Sequence, residues 1–76
     1  MPKMPIITSQ IMIKFLLNLG FRRQRQKGSH IFFKHPDGRT ATIPNHKAED
    51  LGRGITNQII KDIDVSKEDF MDWFYN

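Results

Sequence analysis

Residues 30–44 read HIFFKHPDGRTATIP, and their pattern decides the fold. Successive strand residues point to opposite faces, so from His30 to His35 the residues Ile31 and Phe33 fall on one side, and His30, Phe32 and Lys34 on the other. His35-Pro36-Asp37-Gly38 then marks a hairpin: Pro36 presets φ for the first turn position, and Gly38 accepts a positive φ. A second strand follows from Arg39 to Ile43, with Ala41 and Ile43 on the core side and Thr40 and Thr42 on the open side. Pro44 has no N–H to give, so the ladder is predicted to end there.

Working outward, Gly28-Ser29 makes a turn before this hairpin. Phe21 to Gln26 forms a third strand whose arginines and glutamines require at least one solvated side. Upstream, Met12, Phe15, Leu16 and Leu19 recur at helical spacing between a Thr8 or Ser9 cap and Gly20, which ends the helix. Ile11, Ile13 and Leu17 lie off that stripe. Downstream, Asn45 to Gly54 reads as a polar loop. Ile55, Ile59, Ile60 and Ile63 mark a second amphipathic helix starting near Gly54 or Thr56. Ser66 with Asp69 is a capping box, opening a short last helix that carries Phe70, Met71, Trp73 and Phe74. The order predicts a single α+β domain over residues 1–76. It is a sandwich in which a three-stranded antiparallel sheet carries both main helices on one face. The other face is then open and presents His30, Phe32, Lys34, Thr40 and Thr42.

The chain has 76 residues and no cysteine, so neither a disulfide nor a thiolate metal site can reinforce a thin core. No apolar run approaches the ~20 residues of a membrane span, and Met1 to Ile7 lacks a signal-peptide core. A cytoplasmic protein with no membrane partner is expected. The net charge of +4 is unevenly placed. Between Gly20 and Lys47, Arg22, Arg23, Arg25, Lys27, Lys34, Arg39 and Lys47 face a single acid, Asp37. Acids predominate after Ala48. A basic middle points to a polyanionic partner.

The chemistry available is limited. His30 and His35 are predicted on opposite strand faces and His46 in the next loop, so no metal-ligand spacing emerges. There is no glycine-rich phosphate loop. Ser29 and His30 are neighbours whose side chains diverge, which disfavours a nucleophile–base pair. His30 is the best candidate. It lies on the open face with Arg25, Lys27 and Lys34 close in sequence. An imidazole can take a proton near neutral pH, and cations can hold a phosphodiester and stabilise its pentacoordinate state. An RNA 2′-hydroxyl is an internal nucleophile already in place. One histidine in a basic groove can therefore cleave RNA without a metal or other cofactor. Phe32, if exposed, can stack a base.

These residues also resemble a known family. Arg25-Gln26-Lys27-Gly28-Ser29-His30 followed by Phe33, then His35-Pro36-Asp37-Gly38-Arg39 and Ile43-Pro44-Asn45-His46, look like the signature of the HicA (YcfA-like) toxins. Asp50-Leu51, Gly54-Ile55-Thr56, and Leu16, Leu19, Gly20 and Phe21 fit as well, so the resemblance runs from about Thr8 to Phe70. It implies a fold like a double-stranded-RNA-binding domain (dsRBD-like, α-β-β-β-α). It also implies metal-independent cleavage of messenger RNA that blocks translation, with the catalytic histidine falling on His30. Arg25, Lys27, Ser29, Lys34 and His46 are the accompanying candidates for RNA and phosphate binding. The implied partners are an RNA substrate and a HicB-type antitoxin that masks the site, with operator DNA engaged only through the antitoxin. The chain departs from the family where a glycine often follows the second helix: here the sequence is Ile63-Asp64-Val65. The aromatic tail from Phe70 to Asn76 lies outside the motif. A non-catalytic RNA-binding module of the same fold is the alternative reading. A protein-interaction domain built on Ile11, Ile13, Leu17 and the tail is a third.

Overall fold

A computed structural model describes residues 4–45 and 50–76. In chain order the elements are β1 (Ile7–Thr8), α1 (Ser9–Asn18), β2 (Arg22–Lys27), β3 (His30–Lys34), β4 (Thr40–Pro44), β5 (Asp50–Leu51), α2 (Arg53–Asp62) and α3 (Lys67–Tyr75). The fold is α+β. Strands β2, β3 and β4 form an antiparallel sheet in that order, with β3 central, and α1 and α2 both pack against β4.

The ends of α1 follow from their residues. Thr8 Oγ1 accepts the N–H of Ile11 at 3.3 Å. At the other end Gly20 takes φ +98°. The N–H groups of Gly20 and Phe21 reach back to the carbonyls of Leu17 and Leu16 at 3.1 and 3.0 Å, closing the helix with a Schellman motif. The same motif closes α2 with an aspartate in the glycine position. Asp64 has φ +57°, and the N–H groups of Asp64 and Val65 bond to the carbonyls of Lys61 and Ile60. Aspartate is among the few residues that enter this region, so the departure from the family's usual glycine leaves the turn intact.

The His35–Gly38 turn is a structural knot. The Gly38 N–H donates to the His35 carbonyl at 2.9 Å and the His35 N–H to the Arg39 carbonyl at 2.8 Å. Asp37 accepts the backbone N–H and the Nε–H of Arg39 at 3.0 and 2.8 Å. Arg39 also donates to the Ile63 carbonyl at the end of α2, and its guanidinium lies 5.2 Å from the Phe21 ring centre. His35 Nε2 faces the Leu19 carbonyl at 3.1 Å, and its Nδ1 accepts the Asp37 N–H. One short turn thus links the ends of both main helices. The backbone N–H of Arg39, with help from its side chain, holds the Asp37 carboxyl below its ordinary value of 3.8. A depressed carboxyl contributes stability at neutral pH and loses it as pH falls through the folded-state value. Wild type is therefore expected to lose more melting temperature than Asp37→Asn between pH 6 and pH 3. Thermal unfolding at the two pH values checks this; equal losses contradict it.

The core unites Met12, Phe15 and Leu16 of α1, Ile31 and Phe33 of β3, Ala41 and Ile43 of β4, and Ile59 and Ile60 of α2 with Ile63 just beyond it. The alternation expected for β3 and β4 holds: His30, Lys34, Thr40 and Thr42 are exposed on the opposite face and Phe32 is half-buried there. Pro44 ends the ladder as expected, forming its last rung opposite His30. Its carbonyl accepts the hydroxyl of buried Ser9 at 2.7 Å. The stretch expected as a loop contains β5, paired with β1. Gly52 is extended and caps α2, which starts at Arg53, next to the expected Gly54. Thr56 is buried, while Ile55 is 47% exposed. Leu19 is only partly buried.

The aromatic tail is part of the core. Ser66 accepts the Asp69 N–H at 3.0 Å and opens α3. Phe70 is fully buried and meets Phe15 edge-on at 4.9 Å, with Trp73 tilted against Phe15 at 5.0 Å.

Candidate nucleic-acid interface

The Lys27–His30 hairpin positions the candidate histidine. Gly28 has φ +59°, and among the described residues no non-glycine except Asp64 shares that region. A two-residue loop with positive φ only at its first position, and glycine there, fits a type II′ turn, whose twist suits the flanking strands. The Ser29 carbonyl accepts the Asn45 N–H at 2.6 Å. His30 therefore begins the central strand, with Lys27 across from it on β2 and Pro44 on β4. Its backbone is held from both sides while its side chain is exposed.

Residues directly opposite in a ladder share a face. The β2–β3 register pairs Lys27 with His30, Arg25 with Phe32 and Arg22 with Lys34. All six therefore line the open face of the sheet. Arg22 and Arg25 are an odd number of residues apart, and simple alternation would separate them. A bulge between Arg23 and Arg25 leaves Gln24 without a partner and brings both arginines to one face. Arg23 then falls on the other side and hydrogen-bonds Gln26, whose amide donates to the Gly28 carbonyl at 2.9 Å.

Every residue of β2 is exposed. The helices pack against β4, at the far side of the sheet, so β2 has no apolar layer on either face and needs no apolar residue. This explains a strand more polar than the resemblance suggests. Charges along an edge strand also discourage pairing with another chain.

The face is strongly cationic. Among the described residues Asp37 forms an ion pair with Arg39 and lies beside His35, so no described carboxylate neutralises the charges of Arg22, Arg25, Lys27 and Lys34. The Arg25 guanidinium lies 5.0 Å from the Phe32 ring centre, a cation–π contact that covers part of the ring. Thr42 stands opposite Phe32 on the other side. Among the described residues no three His, Cys, Asp or Glu side chains gather as a metal site would require.

The structure thus brings His30, Lys27, Arg25 and Lys34 to one face. Ser29 sits half-buried in the turn, with its carbonyl rather than its hydroxyl engaged. His35 is turned to the helices, as expected from its odd spacing to His30. His46 lies outside the described residues. Sequence reasoning missed Arg22 as a member of this face. The two-residue turn at Gly28-Ser29 fixes the register from one end, but only the bulge moves Arg22 across, and no residue type announces a bulge there.

An exposed imidazole opposite a lysine, on a face of uncompensated cations, can accept a proton beside a bound polyanion. Among the described residues no helix is long and apolar enough to cross a membrane. A family model described as the HicA toxin of bacterial toxin–antitoxin systems matches residues 9–65, well over half the chain. No curated protein matches the chain.

Proposed function

The chain belongs to the HicA toxin family of bacterial toxin–antitoxin systems, and from that premise we propose that it is a metal-independent endoribonuclease acting on messenger RNA through His30. The observation that carries the proposal is the placement of His30: fixed by backbone pairing on both sides, exposed, and opposite Lys27 on a cationic face. The RNA backbone lies along β2 and β3, drawn by Arg25, Lys27 and Lys34. His30 takes the proton of a 2′-hydroxyl. The 2′-oxygen attacks the adjacent phosphorus, and Lys27 stabilises the charge on the pentacoordinate phosphate. The bond to the 5′-oxygen breaks, and that oxygen receives the proton from the imidazolium. The products are a 2′,3′-cyclic phosphate and a free 5′-hydroxyl. Nucleophile, base and acid are all supplied by substrate and imidazole, so the step needs no cofactor. A HicB-type antitoxin neutralises the toxin by covering this face.

The reading is tested in cells by inducing the chain without its antitoxin and following full-length messages on a blot. Messages are expected to lose integrity as growth stops, and to remain intact with His30→Ala. Growth arrest with intact messages overturns the nuclease reading while leaving the toxin assignment in place.

A further inference from the structure

We infer that Arg22 and Lys34 form a second phosphate site remote from the cut, so that the substrate is an RNA strand running the length of the β2–β3 hairpin. The inference rests on the nuclease reading for its substrate and shares Lys34 with it; Arg22 and the depression beside the pair are new.

Arg22 and Lys34 stand directly opposite one another. Like charges in that position destabilise a sheet, and among the described residues no carboxylate pairs with either. An anion between them reverses the sign of the interaction. The two side chains also border an open depression of about 420 Å³, completed by Gln24, His35 and Pro36. Both ring nitrogens of His35 face backbone groups, those of Leu19 and Asp37. His35 therefore brings no free ring nitrogen to the lining, and Pro36 offers an apolar wall. Gln24, the exposed bulge residue of β2, adds an amide to the lining. Two cations, an amide and an apolar wall suit a phosphate with its attached sugar.

The site lies at the other end of β3 from His30. Lys34 lies four steps along the strand from His30, about 13 Å at the usual rise. Between them lies the Arg25–Phe32 pair, whose guanidinium over the ring gives a flat platform on which a base can stack. On its open face the hairpin thus offers three alternate rungs: a cleaving one, a stacking one and an anchoring one. A dinucleotide at His30 cannot reach the anchor, whereas a longer strand occupies all three.

The test is length-dependent binding and cleavage with the double variant Arg22→Gln/Lys34→Gln. Both residues are exposed, and melting temperature checks that the fold survives. Binding is read by fluorescence anisotropy with labelled, uncleavable 2′-O-methyl octanucleotide and dinucleotide. The double variant is expected to weaken octanucleotide binding by roughly tenfold in ~0.1 M salt, and to lower the slope of log affinity against log salt by about 1.4, at about 0.7 per lost contact. With Arg22→Gln alone, dinucleotide binding and dinucleotide cleavage are expected to stay as in wild type, and Lys14→Gln on α1 to change neither slope nor affinity. An unchanged octanucleotide slope, or an equal loss on both lengths, overturns the inference. Wild type that cleaves no RNA, yet binds octanucleotide through Arg22 and Lys34, retains the site and removes the nuclease reading instead.

Discussion

Replacing His30 with alanine is expected to slow RNA cleavage by about 10²- to 10⁴-fold, the usual contribution of a positioned general acid–base, and to leave RNA affinity and melting temperature close to those of wild type. The separation follows from the geometry. The His30 side chain is exposed and contributes nothing to the buried core, and its strand is held through the backbone. The cations that attract the phosphates belong to other residues. Cleavage rates on a fluorescent oligonucleotide, with anisotropy and thermal unfolding on the same preparations, check all three quantities. A parallel fall in affinity and rate would instead make His30 a binding residue. A parallel fall in melting temperature would make it a structural one.

The second large effect lies outside the matched family region. Phe70→Ala is expected to cost about 3–5 kcal/mol, the range for deleting a buried phenyl ring. A domain of this size seldom holds more than about 3–5 kcal/mol in total. The variant should therefore be largely unfolded at 25 °C, whereas Phe70→Leu should remain folded with a lowered denaturation midpoint. Equilibrium denaturation measures both. The reason is that Phe70 is fully buried and, with Trp73, closes the outer side of Phe15. A loss below about 1 kcal/mol for Phe70→Ala would mean that α3 is an appendage. It would also reopen the tail as a surface for a partner.

The parts of the fold legible in the sequence are those where local chemistry and burial agree. The alternation of Ile31, Phe33, Ala41 and Ile43 gives the sheet its two faces, and the turn at Pro36-Asp37-Gly38 gives the connection. Gly20 ends α1 as its residue type predicts. The features not legible depend on tertiary partners. β5 is two residues long and is defined by Ile7 and Thr8, distant in the chain. Asp64 adopts a positive φ because the Schellman bonds of α2 demand one there. The buried role of Phe70 depends on meeting Phe15, and helical spacing alone does not say which element a helix will cover.

The candidate site divides in the same way. His30, Lys34 and Phe32 share a face by simple alternation, and Lys27 joins them through the two-residue turn. Arg22 joins the same face only because the bulge at Gln24 shifts the register by one, which simple alternation does not foresee. His46, proposed from the motif alone, lies outside the described residues.

The central claim is that His30 directs a 2′-hydroxyl against its own phosphodiester. It is tested most directly by incubating wild-type protein in EDTA with an RNA oligonucleotide and with its all-2′-deoxy counterpart, and identifying the products by mass. The account predicts fragments ending in 2′,3′-cyclic phosphate from the RNA and none from the DNA. Intact RNA in the presence of clear low-salt binding would contradict it and leave an RNA-binding module; fragments from both strands would show that the nucleophile is not the 2′-hydroxyl.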